Sequence, residues 1–237
     1  MTRPRPDLRL ERSLLRAGAR VLVGMDEVGR GALAGPVSVG AVAVDLTTRS
    51  GPRGVADSKL LTPAARTALL PALSRWGVAR AVGHASPEEI DALGIIGALR
   101  LAGTRALAAL GTEVDVVLLD GSHDWLTRPA GELDLWELDV APPDQEPVVH
   151  TRVKADQRCA SVAAASILAK CERDALMVGH AADHPAYRWD ENKGYGAPEH
   201  LQALRTVGPS ALHRRSWNLP GAEPAVDAVA GRPLASR

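Results

Sequence analysis

The chain has 237 residues, with 28 basic and 28 acidic side chains and therefore a formal charge of zero. That length can bury one large core or two small ones, and the balanced charge excludes a globally basic nucleic-acid binder, so any such partner must be met by local patches. No apolar run reaches membrane-spanning length and no signal-peptide core follows the start, which makes the expected location cytoplasmic and leaves no membrane partner. Cys159 and Cys171 read as small apolar residues bound for the interior, not as a disulfide or metal pair.

In chain order, a short helix is expected from Asp7 to about Ala17. A strand then runs from Val21 into the acidic pair Asp26 and Glu27, and a valine-rich strand follows from Pro36 to Asp45. The glycine-rich segment between them is short, so the two strands should be antiparallel, and the apolar residues on both faces of the second predict cover on both sides. Thr62 before Pro63 starts a helix reaching about Trp76. Val78 to Ala85 is a third strand. Ser86, with Glu88 and Glu89 behind it, opens a helical stretch that continues from Leu99 to Leu110.

Val114 to Leu119 is a short strand ending at Asp120, and the stretch from Ser122 to about Gln145 carries no assignable pattern. Pro147 to Val153 is another strand. Ala160 to Val178 is a largely apolar helix, buried around most of its circumference. A last helix covers about Pro198 to Thr206, and the tail after Pro220 lacks periodicity. The order predicts an α/β protein, a mixed sheet flanked by helices, whose site gathers at strand carboxyl ends.

Three strand ends carry acids. Asp26 and Glu27 close the first strand between glycines that permit a bend, Asp120 closes the fourth, and Asp156 lies where the fifth gives way to the long helix. Four carboxylates at one sheet edge suit Mg²⁺ or Mn²⁺, and two such ions can support in-line phosphoryl displacement. For Asp120 or Asp156 alone, a solvated strand end or helix cap is the competing interpretation. Lysine occurs only at Lys59, Lys154, Lys170 and Lys193 in an otherwise Arg-using chain. Those positions are expected to need a compact ammonium, at least two of them against phosphate or the carboxylates.

Six segments in order resemble the ribonuclease HII family, the bacterial type 2 ribonucleases H: residues 24–36 (GMDEVGRGALAGP), 57–60 (DSKL), 118–121 (LLDG), 154–174 (KADQRCASVAAASILAKCERD), 192–201 (NKGYGAPEHL) and 213–217 (HRRSW). The resemblance implies the ribonuclease H fold with a small helical C-terminal part. Its division would be an N-terminal arm (1–19), a catalytic domain (20–185), a substrate-binding helical part (186–219) and a flexible tail (220–237). It also implies that Asp26, Glu27, Asp120 and Asp156 hold two Mg²⁺ or Mn²⁺ ions. Gly29, Arg30 and Gly31 would read the ribose 2′-hydroxyl, Lys59 would lie near substrate phosphate, and Tyr195 would pack on the sugar at the DNA side of a junction.

The implied reaction is hydrolysis 5′ to a ribonucleotide in RNA/DNA hybrids and in duplex DNA, by a monomer. Two departures are Ala155, where the family usually has Gly, and Val28, where it usually has Ala. Ala155 matters if that backbone needs positive φ. His213, Arg214 and Arg215, with Arg205 and Lys193, would form a basic patch for backbone contacts. The rival interpretations are a nucleic-acid-binding module without catalysis and a phosphatase acting on small phosphoesters.

Overall fold

A computed structural model describes residues 5–56, 58–128 and 146–221. The tail beyond residue 221, residue 57 and residues 129–145 of the unassigned stretch lie outside the described residues. Helix α1 (Arg9–Arg16) precedes strand β1 (Leu22–Val28), which pairs antiparallel with β2 (Val37–Val44). After helix α2 (Pro63–Leu73), β3 (Ala79–Ala85) adds antiparallel to β2. Helix α3 (Pro87–Ala109) leads to β4 (Val116–Asp120), which lies parallel to β1, and β5 (Val148–Arg152) lies parallel to β4. The sheet order is β3-β2-β1-β4-β5. The long helix α4 (Ala160–Ala181), a single turn α5 (Trp189–Asn192) and α6 (Pro198–Val207) complete the described chain.

Local chemistry sets the helix starts. Thr62 accepts the Ala65 N–H with Pro63 in the first turn, and Ser86 and Glu89 form a reciprocal capping box. The two helical stretches foreseen after Ser86 join as α3 across a kink at Gly94, which has φ 68° and ψ 167°. Contrary to expectation, α3 is long and apolar enough by composition to span a bilayer. The reason lies in its packing: Ile90, Leu99, Leu101 and Ala102 are buried against one face of the sheet, while Arg105 forks onto Glu89 at 2.8 and 2.9 Å.

Alternation along β1 divides the interior. Leu22 belongs to the core under α1, α2 and α4, whereas Val23 and Met25 belong to the core under α3. Every residue of β2 is buried, as its two apolar faces require. Helix α4 crosses β1 and β2 so closely that a Cβ on Gly24 would meet Ser161 Oγ at 2.4 Å, and one on Gly40 would meet the Ala165 carbonyl at 2.2 Å. Small side chains on both partners thus bring the start of α4 down onto the strand that carries Asp26. A third cluster joins Ala34 and Met177 to Tyr187, Trp189 and Leu204, with Tyr187 and Trp189 stacked at 5.0 Å.

Candidate active site

Parallel pairing sets Met25 beside Leu119, so Asp26 and Asp120 follow at one level along neighbouring strands. Asp26 is only 5% exposed; its Oδ1 accepts the Glu27 N–H at 2.9 Å, and the carboxylate also has a hydrogen bond with Ser166. Burial pushes the Asp26 carboxyl well above the usual carboxylate range, and the charges of Glu27, Asp120 and Asp156 push the same way against the Ser166 bond. Glu27 is raised chiefly by burial; Asp120 adds to the shift, while Arg30 and Lys59 oppose it. Asp120 Oδ1 accepts the Ala155 N–H at 2.6 Å. Asp156 is 4% exposed in the 3-10 turn Ala155–Gln157 that leads into α4.

The four acids expected from sequence therefore sense one another's charge at one edge of the sheet. Among the described residues, no three or more Asp, Glu, His or Cys side chains are gathered closely enough to enclose an ion. The donor set still fits a hard divalent cation: it is all oxygen, and buried Asp26 is strained as an anion by three neighbouring negative charges. Ala155 is accommodated because the positive φ, 58°, falls on Lys154, leaving Ala155 in the 3-10 turn with its N–H on Asp120.

The turn after β1 holds Gly29, Arg30 and Gly31. Gly29 has φ +85°, and a Cβ there would lie 2.1 Å from Arg173 Nε. Gly31 differs: its φ lies outside the left-handed range and a Cβ would find nothing within 4 Å. Nothing in the fold demands glycine at 31. Arg30 is exposed, with Nη1 3.8 Å from Glu27 Oε1, and exposed Lys59 sits on the 3-10 turn Ser58–Leu60. Tyr195 is half-buried, with the Arg173 guanidinium 5.3 Å from its ring centre.

Other expectations need correction. His213 and Arg214 are 1% and 0% exposed, so they cannot belong to a surface basic patch; only Arg215 of that run is exposed. Lys170 pairs with Asp174 at 2.5 Å, a carboxylate outside the expected four. The cysteines, by contrast, agree with expectation: Cys159 is buried and Cys171 partly so, both are free, and burial pushes the Cys159 thiol up to about 12. Sequence reasoning also missed Ser166. Its hydroxyl bonds Asp26 and lies 2.7 Å from Ser58 Oγ, beside Lys59. A serine in an alanine-rich helix gives no signal of its own.

A mixed five-stranded sheet covered by helices on both faces, with carboxylates where parallel β1 and β4 end, defines a ribonuclease-H-like α/β hydrolase. Two solved structures share this fold: ribonuclease H2 of Pyrococcus horikoshii (25% identity, TM-score 0.59, covering 83% of this chain and 93% of that one), and ribonuclease HII of Archaeoglobus fulgidus in complex with PCNA (25%, 0.63, 84% and 96%). The family model described as ribonuclease HII matches residues 23–219, and the chain belongs to that family. Curated relatives named ribonuclease HII include those of Streptomyces avermitilis (47% identical over 213 residues, 90% of this chain and 83% of the relative) and Paracoccus denitrificans (47% over 215 residues, 90% and 91%). It is thus a ribonuclease H hydrolase, an endoribonuclease of a nucleic-acid-binding family that acts on RNA and DNA together.

Proposed function

We propose that the chain hydrolyses the phosphodiester on the 5′ side of a ribonucleotide, in RNA/DNA hybrids and at single ribonucleotides within duplex DNA. Water supplies the oxygen that joins phosphorus, and the bond from phosphorus to the 3′ oxygen of the preceding nucleotide breaks. That oxygen takes up a proton and leaves as a 3′-hydroxyl, while the ribonucleotide keeps a 5′-phosphate. The observation that carries this reading is the meeting of Asp26, Glu27, Asp120 and Asp156 as interacting charges at the ends of β1 and β4.

Asp26, Glu27, Asp120 and Asp156 would hold two Mg²⁺ or Mn²⁺ ions. Bound there, the ions supply positive charge that activates water and stabilises the leaving oxygen. The chain's own residues do the rest. The Ala155 N–H and the Ser166 hydroxyl orient two of the carboxylates. Exposed Arg30 and Lys59 face substrate phosphates, and open Gly31 lets a ribose approach the backbone closely enough for its 2′-hydroxyl to be read. Gly29 supplies the bend that places this turn, and Tyr195 offers its half-buried ring to the sugar on the DNA side. In this reading residues 1–19 are an arm, 20–185 catalyse and 186–219 bind substrate, in a monomer.

The test supplies Mg²⁺ with three substrates: a DNA duplex bearing one ribonucleotide, the same duplex in all-DNA form, and a small phosphoester. Cutting of the first alone, lost in Asp26→Asn, is expected. No cutting by the wild type, or full cutting by the variant, would overturn the proposal.

A further inference from the structure

Two arginines are buried in this fold with only backbone carbonyls as their hydrogen-bond acceptors. Arg214, 0% exposed, donates Nη2 to the Gly29 carbonyl at 2.6 Å and Nη1 to the Arg30 carbonyl at 3.0 Å. It also reaches the Gly35 carbonyl at 3.1 and 3.2 Å and that of Pro36 at 3.3 Å, with Trp217 under its guanidinium at 4.9 Å. Arg173, also 0% exposed, donates to the carbonyls of Pro36 (2.8 Å), Lys193 (3.0 Å) and Ala34 (3.1 Å). Burying two neighbouring cations without a carboxylate partner is costly, and burial, with repulsion from Arg173, pulls the Arg214 pKa down to about 9. Such an arrangement has to return something other than stability.

In a trans peptide the C=O and N–H point in opposite directions. The carbonyl of Gly29 belongs to the same peptide as the Arg30 N–H, and the carbonyl of Arg30 to the same peptide as the Gly31 N–H. Drawing both carbonyls inward onto one guanidinium turns both N–H groups outward, at two exposed residues. Among the described residues neither N–H has a hydrogen-bond partner. We propose that Arg214 is a positioning residue for substrate selection: it aims the paired N–H donors of Arg30 and Gly31 at the incoming ribose-phosphate, while Arg173 ties the segment after that turn, at Ala34 and Pro36, to Lys193 in the loop carrying Tyr195. The inference rests on the proposed reading of residues 29–31 as the ribose-selecting turn. A lysine cannot replace the fork, because one ammonium lacks the planar set of five donors that spans four carbonyls.

The test has two parts. In the wild-type protein, amide resonances of Arg30 and Gly31 are followed while a duplex bearing one ribonucleotide, or its all-DNA twin, is added in the presence of Ca²⁺. Larger shifts with the ribonucleotide are expected; no shift of either amide with either duplex would overturn the proposal without any variant. In Arg214→Lys and Arg214→Met, hydrogen exchange at Ala32 and Gly35, whose N–H groups are held by the Gly29 and Leu212 carbonyls, should rise while α1 and β2 keep their protection. Preference for the ribonucleotide duplex in kcat/KM should fall roughly ten- to a hundredfold. Folded variants with wild-type exchange at Ala32 and Gly35 and wild-type preference would overturn it. Failure of the wild type to cut would refute the proposed activity instead, while the exchange and amide data would still decide whether Arg214 aims the turn.

Discussion

The two glycines of the 29–31 turn answer to different forces. Gly31→Ala meets no atom and no backbone strain, so its melting temperature should match the wild type while cleavage of a ribonucleotide duplex falls. Gly29→Ala combines φ +85° with a clash against Arg173 and should cost about 2 kcal/mol or more in denaturant unfolding. A reversed order, with Gly31→Ala unstable and Gly29→Ala neutral, would contradict the assignment. Asp26 makes the complementary case. Its carboxylate is buried among three like charges, so Asp26→Asn should abolish cutting yet raise stability in chelator by about 1 kcal/mol; a loss of stability would show that the site is not strained. The four acids were legible because each stands where an apolar strand ends or gives way to a helix, which is unusual for a core position. Arg214 was not, because a His, Arg, Arg run looks like a solvated face, and its burial depends on carbonyls more than 180 positions earlier in the chain.

Between elements, the C-terminal part is joined by histidines whose protonation is fixed by their partners. The Tyr195 carbonyl can only accept, so His200 Nδ1 carries a proton; His200 Nε2 then accepts from Trp189 Nε1 at 3.2 Å and from His213 Nε2 at 3.0 Å. His213 Nδ1 in turn accepts the Ser210 N–H at 3.0 Å. Both rings must be neutral, and burial, with His200 close by, pulls His213 down to about 4. A folded-state pKa below the unfolded value of about 6.5 gives stability that is full above that value and lost as pH falls toward 4, on the order of 3 kcal/mol. Asp26, Glu27 and Glu11, with raised carboxyls, act in the opposite sense, so the effect is read as a difference. Wild type should lose stability relative to His213→Gln as the pH is lowered through this window, and parallel curves would refute the neutral pair. Elements themselves were readable because periodicity and caps are local; the joining of the α3 stretches across Gly94 depended on burial against the sheet, which no local pattern carries.

At the scale of the whole molecule, a mixed sheet with an antiparallel start and a parallel finish was foreseeable from connection lengths, and its strand order places β1 centrally with the acids at its end. What sequence could not supply was distance: α4 reaches Asp26 through Ser166 because Gly24 and Gly40 let the helix approach. A cation held by the folded acids and not by the unfolded chain must stabilise the protein, by about 2.7 kcal/mol at a hundred times its Kd. Mg²⁺ should therefore raise the melting temperature by several degrees, and Asp26→Asn should blunt that rise; equal shifts in both would place the ion elsewhere. The most direct measurement is end-mapping of the products from a duplex containing one ribonucleotide. The expected result is a single cut on its 5′ side, with a 3′-hydroxyl on the upstream DNA and a 5′-phosphate on the ribonucleotide. A cut on the 3′ side, a cyclic phosphate end or cutting of the all-DNA duplex would contradict the division of labour between the carboxylates and the turn at residues 29–31.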